Sequence, residues 1–214
     1  VVLALTAIGR NPEDTEGYNL VLPLNDYDAV LRQGINGAIW ALIALNSGNY
    51  DAGAAHGKYT EKILSAQNPD GGWAISEEGA SDVDVTAMAV CALFPDKSET
   101  VQNAVKSALA FLDAAQPTSS ESLAQIIIAK CTAGITPTET EQLMQYKTPE
   151  GGFSHIMGGA ANLMATEQAF CALAALSRFE SGKIPLYEMS DTLKIFTDVE
   201  NHSAKEQIYA LASK

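Results

Sequence analysis

Asp82-Val-Asp84-Val-Thr86-Ala87 places two carboxylates one residue apart at the head of an apolar run. Of two neighbouring acids, one can be kept protonated by burial and by the other's charge, which is what a general acid needs. Asp82 and Asp84 are the two candidates for that role. The plainer role is a helix cap, either Asp accepting from the first free amides. Asn162, another capping residue, stands 80 residues after Asp82 and favours the cap. A second constellation is looser. Trp40, Glu121, Gln125, Glu167 and Gln168 fall in the first turns of apolar helices, and His155 follows Phe153 in a loop. If those helices start at one end, their first turns form a concave mouth with polar groups and an aromatic, the usual make-up of a binding site. The bland reading is that Glu121 and Glu167 simply favour the helix dipole and that His155 is solvated. Cys91, Cys131 and Cys171 lie within apolar stretches, and His56, His155 and His202 have no Cys or His at ligand spacing. No metal and no cofactor are therefore expected. The sequence also has no nucleophile elbow of the Gly-x-Ser-x-Gly kind and no phosphate loop.

The elements that must position these groups repeat. Gln67-Asn-Pro-Asp-Gly71-Gly72-Trp73 is a Gly-rich loop followed by an apolar helix from Val83 to Leu93, and Gly151-Gly152-Phe153 with Thr166-Glu-Gln-Ala-Phe-Cys-Ala-Leu173 restates it. Thr86 falls on Thr166, Ala89 on Ala169 and Leu93 on Leu173, while the cysteines stand at 91, 131 and 171, 40 residues apart. Amphipathic segments over 58–67, 99–116 and 138–146 alternate with apolar ones over 38–45, 83–93, 122–135 and 164–176. A short amphipathic helix over 26–33 precedes them, and 11–25 and 46–57 are expected as loops. A helix apolar nearly all round must be buried on most sides. The expectation is two layers of helices, apolar inside and amphipathic outside, in pairs of about 40 residues. An open stack would expose one face of each layer, whereas a closed ring buries the inner helices more fully, so a ring is preferred.

Composition fits that reading: 47% of the 214 residues are hydrophobic and 18% charged, enough for a well-buried domain. A net charge of −13 argues against nucleic acid and anionic membrane surfaces as partners, and serves solubility in any case. No apolar run approaches the roughly 20 residues of a membrane span. Equivalent cysteines on neighbouring helices, roughly 8–10 Å apart, are too distant for a disulfide and leave the compartment open. Residues 1–8 read as a helix already under way, with no initiator Met or signal peptide, so the chain is expected to be a piece of a longer protein.

Gln67-x-x-x-Gly71-x-Trp73 resembles the Gln-Trp repeat of squalene and hopene cyclases, and the Gly-Gly-aromatic loops resemble those of protein prenyltransferase β-subunits and complement-type thioester domains. Gly34-Ile-Asn-Gly-Ala-Ile-Trp-Ala-Leu-Ile-Ala-Leu45, Ser120-Glu-Ser-Leu-Ala-Gln125 and Met164-Ala-Thr-Glu-Gln-Ala169 are similar to prenyltransferase-like domains of secreted proteins from Gram-positive bacteria, distantly similar in turn to cobalamin carriers. The resemblance implies an all-α fold, an α/α toroid over residues 1–190 that is incomplete, its first helix pairs missing. It implies a structural role for Gln67, Gly71, Gly72, Trp73, Gly151, Gly152 and Phe153, the glycines allowing the turn and the ring packing beneath it. Asp84 falls at the proton donor of the cyclases' Asp-x-Asp-Asp-Thr-Ala motif, but Val85 replaces the Asp that follows, and aromatics to stabilise carbocations are only 7% of the chain.

Residues 191–214 form a separate segment. Phe196-Thr-Asp-Val199, His202-Ser-Ala204 and Ile208-Tyr-Ala-Leu211 resemble the opening of an S-layer homology module, with Ser203 where such modules carry Trp. This implies an extracellular or cell-wall-associated parent protein and attachment to the wall through it. The expected function is a non-catalytic domain binding a small molecule, a glycan or a protein. A cyclase- or prenyltransferase-related enzyme using Asp84, and an architectural spacer, are the alternatives.

Overall fold

The computed structural model describes residues 1–76, 78–190 and 203–205. Nearly all its regular structure is helical. Four helices rich in Ala, Ile, Leu and Val carry the core: α3 (Gly34–Ser47), α5 (Val83–Leu93), α7 (Ser120–Thr132) and α9 (Leu163–Glu180). Each packs on the next, α3 on α5, α5 on α7 and α7 on α9. Between them run α4 (Ala54–Ser65), α6 (Glu99–Ala114) and the short α8 (Thr140–Met144), each packed on the inner helix before it. α1 (Val2–Ala7) leans on α3, and α2 (Tyr27–Val30) with a 3-10 turn, Leu31–Gln33, leads into it.

The layers follow from the two kinds of sequence. α6 buries Val101, Ala104, Val105, Ala108 and Leu112, one stripe at helical spacing. α7 is buried on every side, from Leu123 through Cys131. Because an outer helix returns the chain between them, neighbouring inner helices run parallel. At their C-terminal ends Asn46 Nδ2 donates to the Ala92 carbonyl (3.0 Å), and Cys91 Sγ lies 3.7 Å from Thr132 Oγ1.

The 80-residue repeat is a repeat of bonds. Asn68 N–H donates to the Gly72 carbonyl and Thr148 N–H to that of Gly152. Trp73 N–H donates to Thr86 Oγ1 and Phe153 N–H to Thr166 Oγ1, each at 2.9 Å. Gly71 has φ +90°, and a Cβ there would stand 2.6 Å from the Ser107 carbonyl oxygen, so the loop presses its backbone onto α6. Gln67 Nε2 clamps the same place, donating to the carbonyls of Gly71 (2.8 Å) and Ala104 (2.9 Å).

Several expected boundaries move. α3 begins at Gly34 rather than after Gly37, because Gly37 serves as the contact point for the preceding turn: a Cβ there would meet the Val30 carbonyl oxygen at 2.2 Å. His56, expected in a loop, lies in α4, where Nε2 meets Asn46 Oδ1 at 2.8 Å. Two short strands were not foreseen: β1 (Phe153–Ser154) pairs antiparallel with β2 (Ala161–Asn162). α9 departs most from an all-round burial. Its alanines 165, 169, 172 and 175 are buried, but Leu163, Met164 and Phe170 are exposed. Phe170 stands where Val90 is fully buried in α5, because among the described residues no further helix follows on the far side of α9.

Candidate functional site

Three of the four inner helices, α5, α7 and α9, open with side-chain caps. Asp82 accepts from Val85 N–H (2.9 Å), Ser119 from Ser122 N–H (3.1 Å) and Asn162 from Ala165 N–H (3.0 Å). Asp82 and Asn162 therefore do the same structural work 80 residues apart. Asp84 does not cap. It is half-buried beside Ser122 of α7, and its Oδ1 is buried without a hydrogen-bond partner. Ser122 is itself held by the Ser119 hydroxyl at 2.9 Å.

Glu121 and Gln125, one turn apart on α7, meet partners from the loop and from α9. Glu121 Oε2 lies 2.9 Å from His155 Nδ1 and 3.1 Å from Ser120 Oγ. His155 is brought there because α7 is pinned to β1: Ser120 Oγ donates to the Ser154 carbonyl (2.7 Å) and Ser120 N–H to the His155 carbonyl (3.1 Å). Gln125 Nε2 donates to Gln168 Oε1, and Gln168 Nε2 to Glu167 Oε2 (2.7 Å). Cys171 Sγ donates to Glu167 Oε1 (3.3 Å). Burial and that carboxylate push the Cys171 thiol up to about 11. Gln125 is 7% exposed, and its Oε1 is left bare. Asn36 Oδ1, in the first turn of α3, is bare as well.

Below this polar level stands a residue the sequence reading missed. After α9 the chain turns back, held by Arg178 Nε on the Ile184 carbonyl (2.9 Å) and by Met189 N–H on the Ser47 carbonyl (2.8 Å). It carries Tyr187 in among the inner helices, edge-on to Trp40 with ring centroids 5.9 Å apart. Burial raises the Tyr187 pKa, and the nearby Cys91, Cys171 and Glu167 raise it further. The apolar Ile184, Leu186 and Tyr187 beyond the helix-ending Gly182 were the available signal; where they go depends on the fold.

Asp82, Glu121 and His155 thus stand at the starts of the inner helices, Asp84, Gln125, Gln168 and Glu167 lie within their first two turns, and Trp40 meets Tyr187 further along them. Gln67, Gly71, Gly72, Trp73, Gly151, Gly152 and Phe153 lie apart from these, in the two loops. A separate cleft of about 550 Å³ opens beside the second loop, between Tyr146, Thr148 and the turn through Gly158 and Gly159. A smaller one of about 300 Å³ lies at the opposite end of the inner helices, next to His56 and Asn46.

Burial raises the Asp84 pKa, the Ser122 hydroxyl tempers it, and the Asp82 and Glu121 charges add to it. The folded chain thus holds this proton more tightly than the unfolded one. The group's contribution to stability is whole below the ordinary carboxylate value of 3.8 and is lost as the pH rises through the higher folded value. Asp84→Asn, which keeps the shape and cannot ionise, is expected to be more stable than the parent at neutral pH. In urea titrations that advantage should vanish near pH 3, and an advantage equal at both pH values would remove charge as the cause.

Among the described residues, no group of three His, Cys, Asp or Glu side chains is arranged to hold a metal ion, and no helix is long and apolar enough to cross a membrane. His202 and nearly all of the 191–214 segment lie outside the described residues; Ser203, within them, is exposed. Compared with known proteins, the chain matches no protein-family model and no curated protein.

Proposed function

We propose that the chain is a non-catalytic binding domain of an extracellular or wall-associated bacterial protein, built as part of an α/α toroid. Its ligand, a small molecule, a glycan or a segment of protein, sits at the mouth of the inner helices. One observation carries the reading: three successive inner helices each present a buried acceptor with no partner, Asn36 Oδ1, Asp84 Oδ1 and Gln125 Oε1. Leaving such a group unpaired costs about 1–3 kcal/mol, so a ligand that opened these turns and donated to the bare oxygens would recover it. The parallel inner helices and the outer helix of each pair support the toroid; ring closure follows from the all-round apolar inner helices and from the resemblance, and wall association from the resemblance.

Amide chemical shifts of the full chain, followed against a panel of amines, polyols, saccharides and cell-wall peptides, test the reading. Perturbation confined to the first turns of α5, α7 and α9 is the expected result. If no member of the panel moves those amides, the binding role falls and an architectural spacer takes its place.

The half-buried Asp84 carboxyl, with its Oδ1 unpartnered and its pKa raised, also favours, less strongly, an acid that protonates an alkene. Against it, Val85 is fully packed in the core and Tyr187 fills the space under the mouth. Cyclised product from a polyisoprene substrate, lost in Asp84→Asn, would establish that enzyme instead.

A further inference from the structure

The two Gly-rich loops share one backbone arrangement and differ in the side chains that close it. Eighty residues on, Asn68 becomes Thr148, Asp70 becomes Glu150 and Ser81 becomes Ala161, while Gly79 corresponds to Gly159. The turns are bonded alike. Gly71 N–H donates to the Asn68 carbonyl as Gly151 N–H does to that of Thr148, and Gly79 N–H donates to the Ser76 carbonyl as Gly159 N–H does to that of Ile156. In the first loop, side chains join the two turns. Asn68 Nδ2 donates to the Gly79 carbonyl (3.1 Å) and to Ser81 Oγ (3.0 Å). Ser81 Oγ donates to Asp70 Oδ1 (2.7 Å), which also accepts from Gly72 N–H (3.0 Å).

In the second loop none of those bonds is made. The Thr148 side chain is shorter than that of Asn68, Ala161 has no hydroxyl, and Glu150 is exposed. Thr148 is only 7% exposed, yet its Oγ1 has no partner. Among the described residues the Gly159 carbonyl and the Gly152 N–H make no hydrogen bond either. The gap stands open as the cleft of about 550 Å³, whose wall includes Thr148, Glu150, Gly159 and Ala161. We infer that this cleft, separate from the mouth of the inner helices, binds a small molecule through an amide group, of the class of N-acylated amino sugars.

The occupant is defined by what it replaces. A carboxamide closes the first gap, its N–H meeting the Gly79 carbonyl, and the Gly159 carbonyl lacks that donor. The carbonyl of the same amide can take the Thr148 hydroxyl proton, which has no other acceptor. A carboxylate would set an oxygen against the Gly159 carbonyl, and an ammonium group could accept nothing from Thr148. A lone hydroxyl or a water must serve both sides through one oxygen, whereas an amide meets each with its own atom. The cleft is much larger than an amide and falls in the roughly 300–1,000 Å³ range of small-molecule sites. Its rim carries Gln145, Lys147 and Glu150, all exposed and of both charge signs, which suits an uncharged, hydroxyl-rich body better than an apolar one.

Amide chemical shifts of the full chain, titrated with N,N′-diacetylchitobiose, test this. Cellobiose is the control, the same disaccharide frame with hydroxyls in place of the acetamido groups. The expected result is shifts centred on residues 147–152 and 158–161, with cellobiose bound about tenfold or more weakly. Thr148→Asn combined with Ala161→Ser rebuilds the closure that the first loop already makes on the same backbone. That variant should keep the fold and weaken binding about tenfold or more. Cellobiose bound as tightly as the diacetylated sugar would overturn the amide requirement, and undiminished binding by the double variant would overturn the cleft as its place. Shifts confined to the first turns of α5, α7 and α9 would overturn the cleft too, while supporting the binding role proposed above. A capped dialanine peptide bound more tightly than the saccharide would overturn the sugar class, and no binding of any of the three overturns the inference.

Discussion

Trp73→Ala is expected to destabilise the chain by about 3–5 kcal/mol, the range for removing a fully buried large aromatic. The ring is wholly enclosed, and its Nε1–H donates to the Ile63 carbonyl at 2.6 Å, tying the loop to the end of α4. The Trp73 amide donates to Thr86, so the same residue also fixes where α5 starts. Truncation opens a cavity and removes one of the two donors to the Ile63 carbonyl, the Ala66 N–H at 3.2 Å being the other. Trp73→Phe keeps most of the volume and loses the N–H, and Phe153 fills the equivalent loop unaided, so about 1–3 kcal/mol is expected for that variant. Urea midpoints measure both. An alanine variant no weaker than the phenylalanine variant would show that packing is not what Trp73 contributes.

Lys130→Met is expected to cost about 2–3 kcal/mol, because it strips the cation from a half-buried carboxylate and leaves the polar network at the end of α7 broken. Lys130 is 4% exposed, yet its Nζ lies 2.7 Å from Asp113 Oδ1 and 2.6 Å from Glu139 Oε1. Asp113 is 64% exposed and well screened, so most of the effect belongs to Glu139, whose side chain is 14% exposed. Adding Glu139→Gln to Lys130→Met should therefore recover part of the loss. Burial alone would lower the Lys130 pKa; the hydrogen bonds and charges of Asp113 and Glu139 outweigh it and hold the pKa above the ordinary 10.5. A cation with a raised folded pKa gives its full stabilisation below that ordinary value and loses it as the pH climbs through the folded one. Denaturation midpoints of the parent should fall faster above pH 10.5 than those of the Met variant. Parallel curves would mean that the ion pair contributes nothing.

Both positions bear on what a sequence can disclose. Trp73 was legible because its neighbours announce it: Gly71, Gly72 and the matching Gly151-Gly152-Phe153 mark a turn that needs glycine and a ring to pack beneath it. Lys130 was not, since a lysine near the end of an apolar helix has the same look whether it meets solvent or two carboxylates from α6 and the loop before α8. The strands β1 and β2 were hidden for a related reason: with two residues each, they are too short for alternation to declare them.

By itself the sequence determined the all-helical character and the alternation of two-faced with nearly all-apolar helices, because burial on one side or on all sides is written in periodicity. It also placed Asp82 and Asn162 at helix starts, because capping is a contact over three residues. The tertiary structure alone decided that Asp84, Gln125 and Asn36 would be left with bare oxygens, that Gln168 would meet Gln125, and that Tyr187 would pack against Trp40. Those are meetings of side chains 40 or more residues apart. Local sequence fixes which way a helix face points, and only packing fixes what stands opposite it.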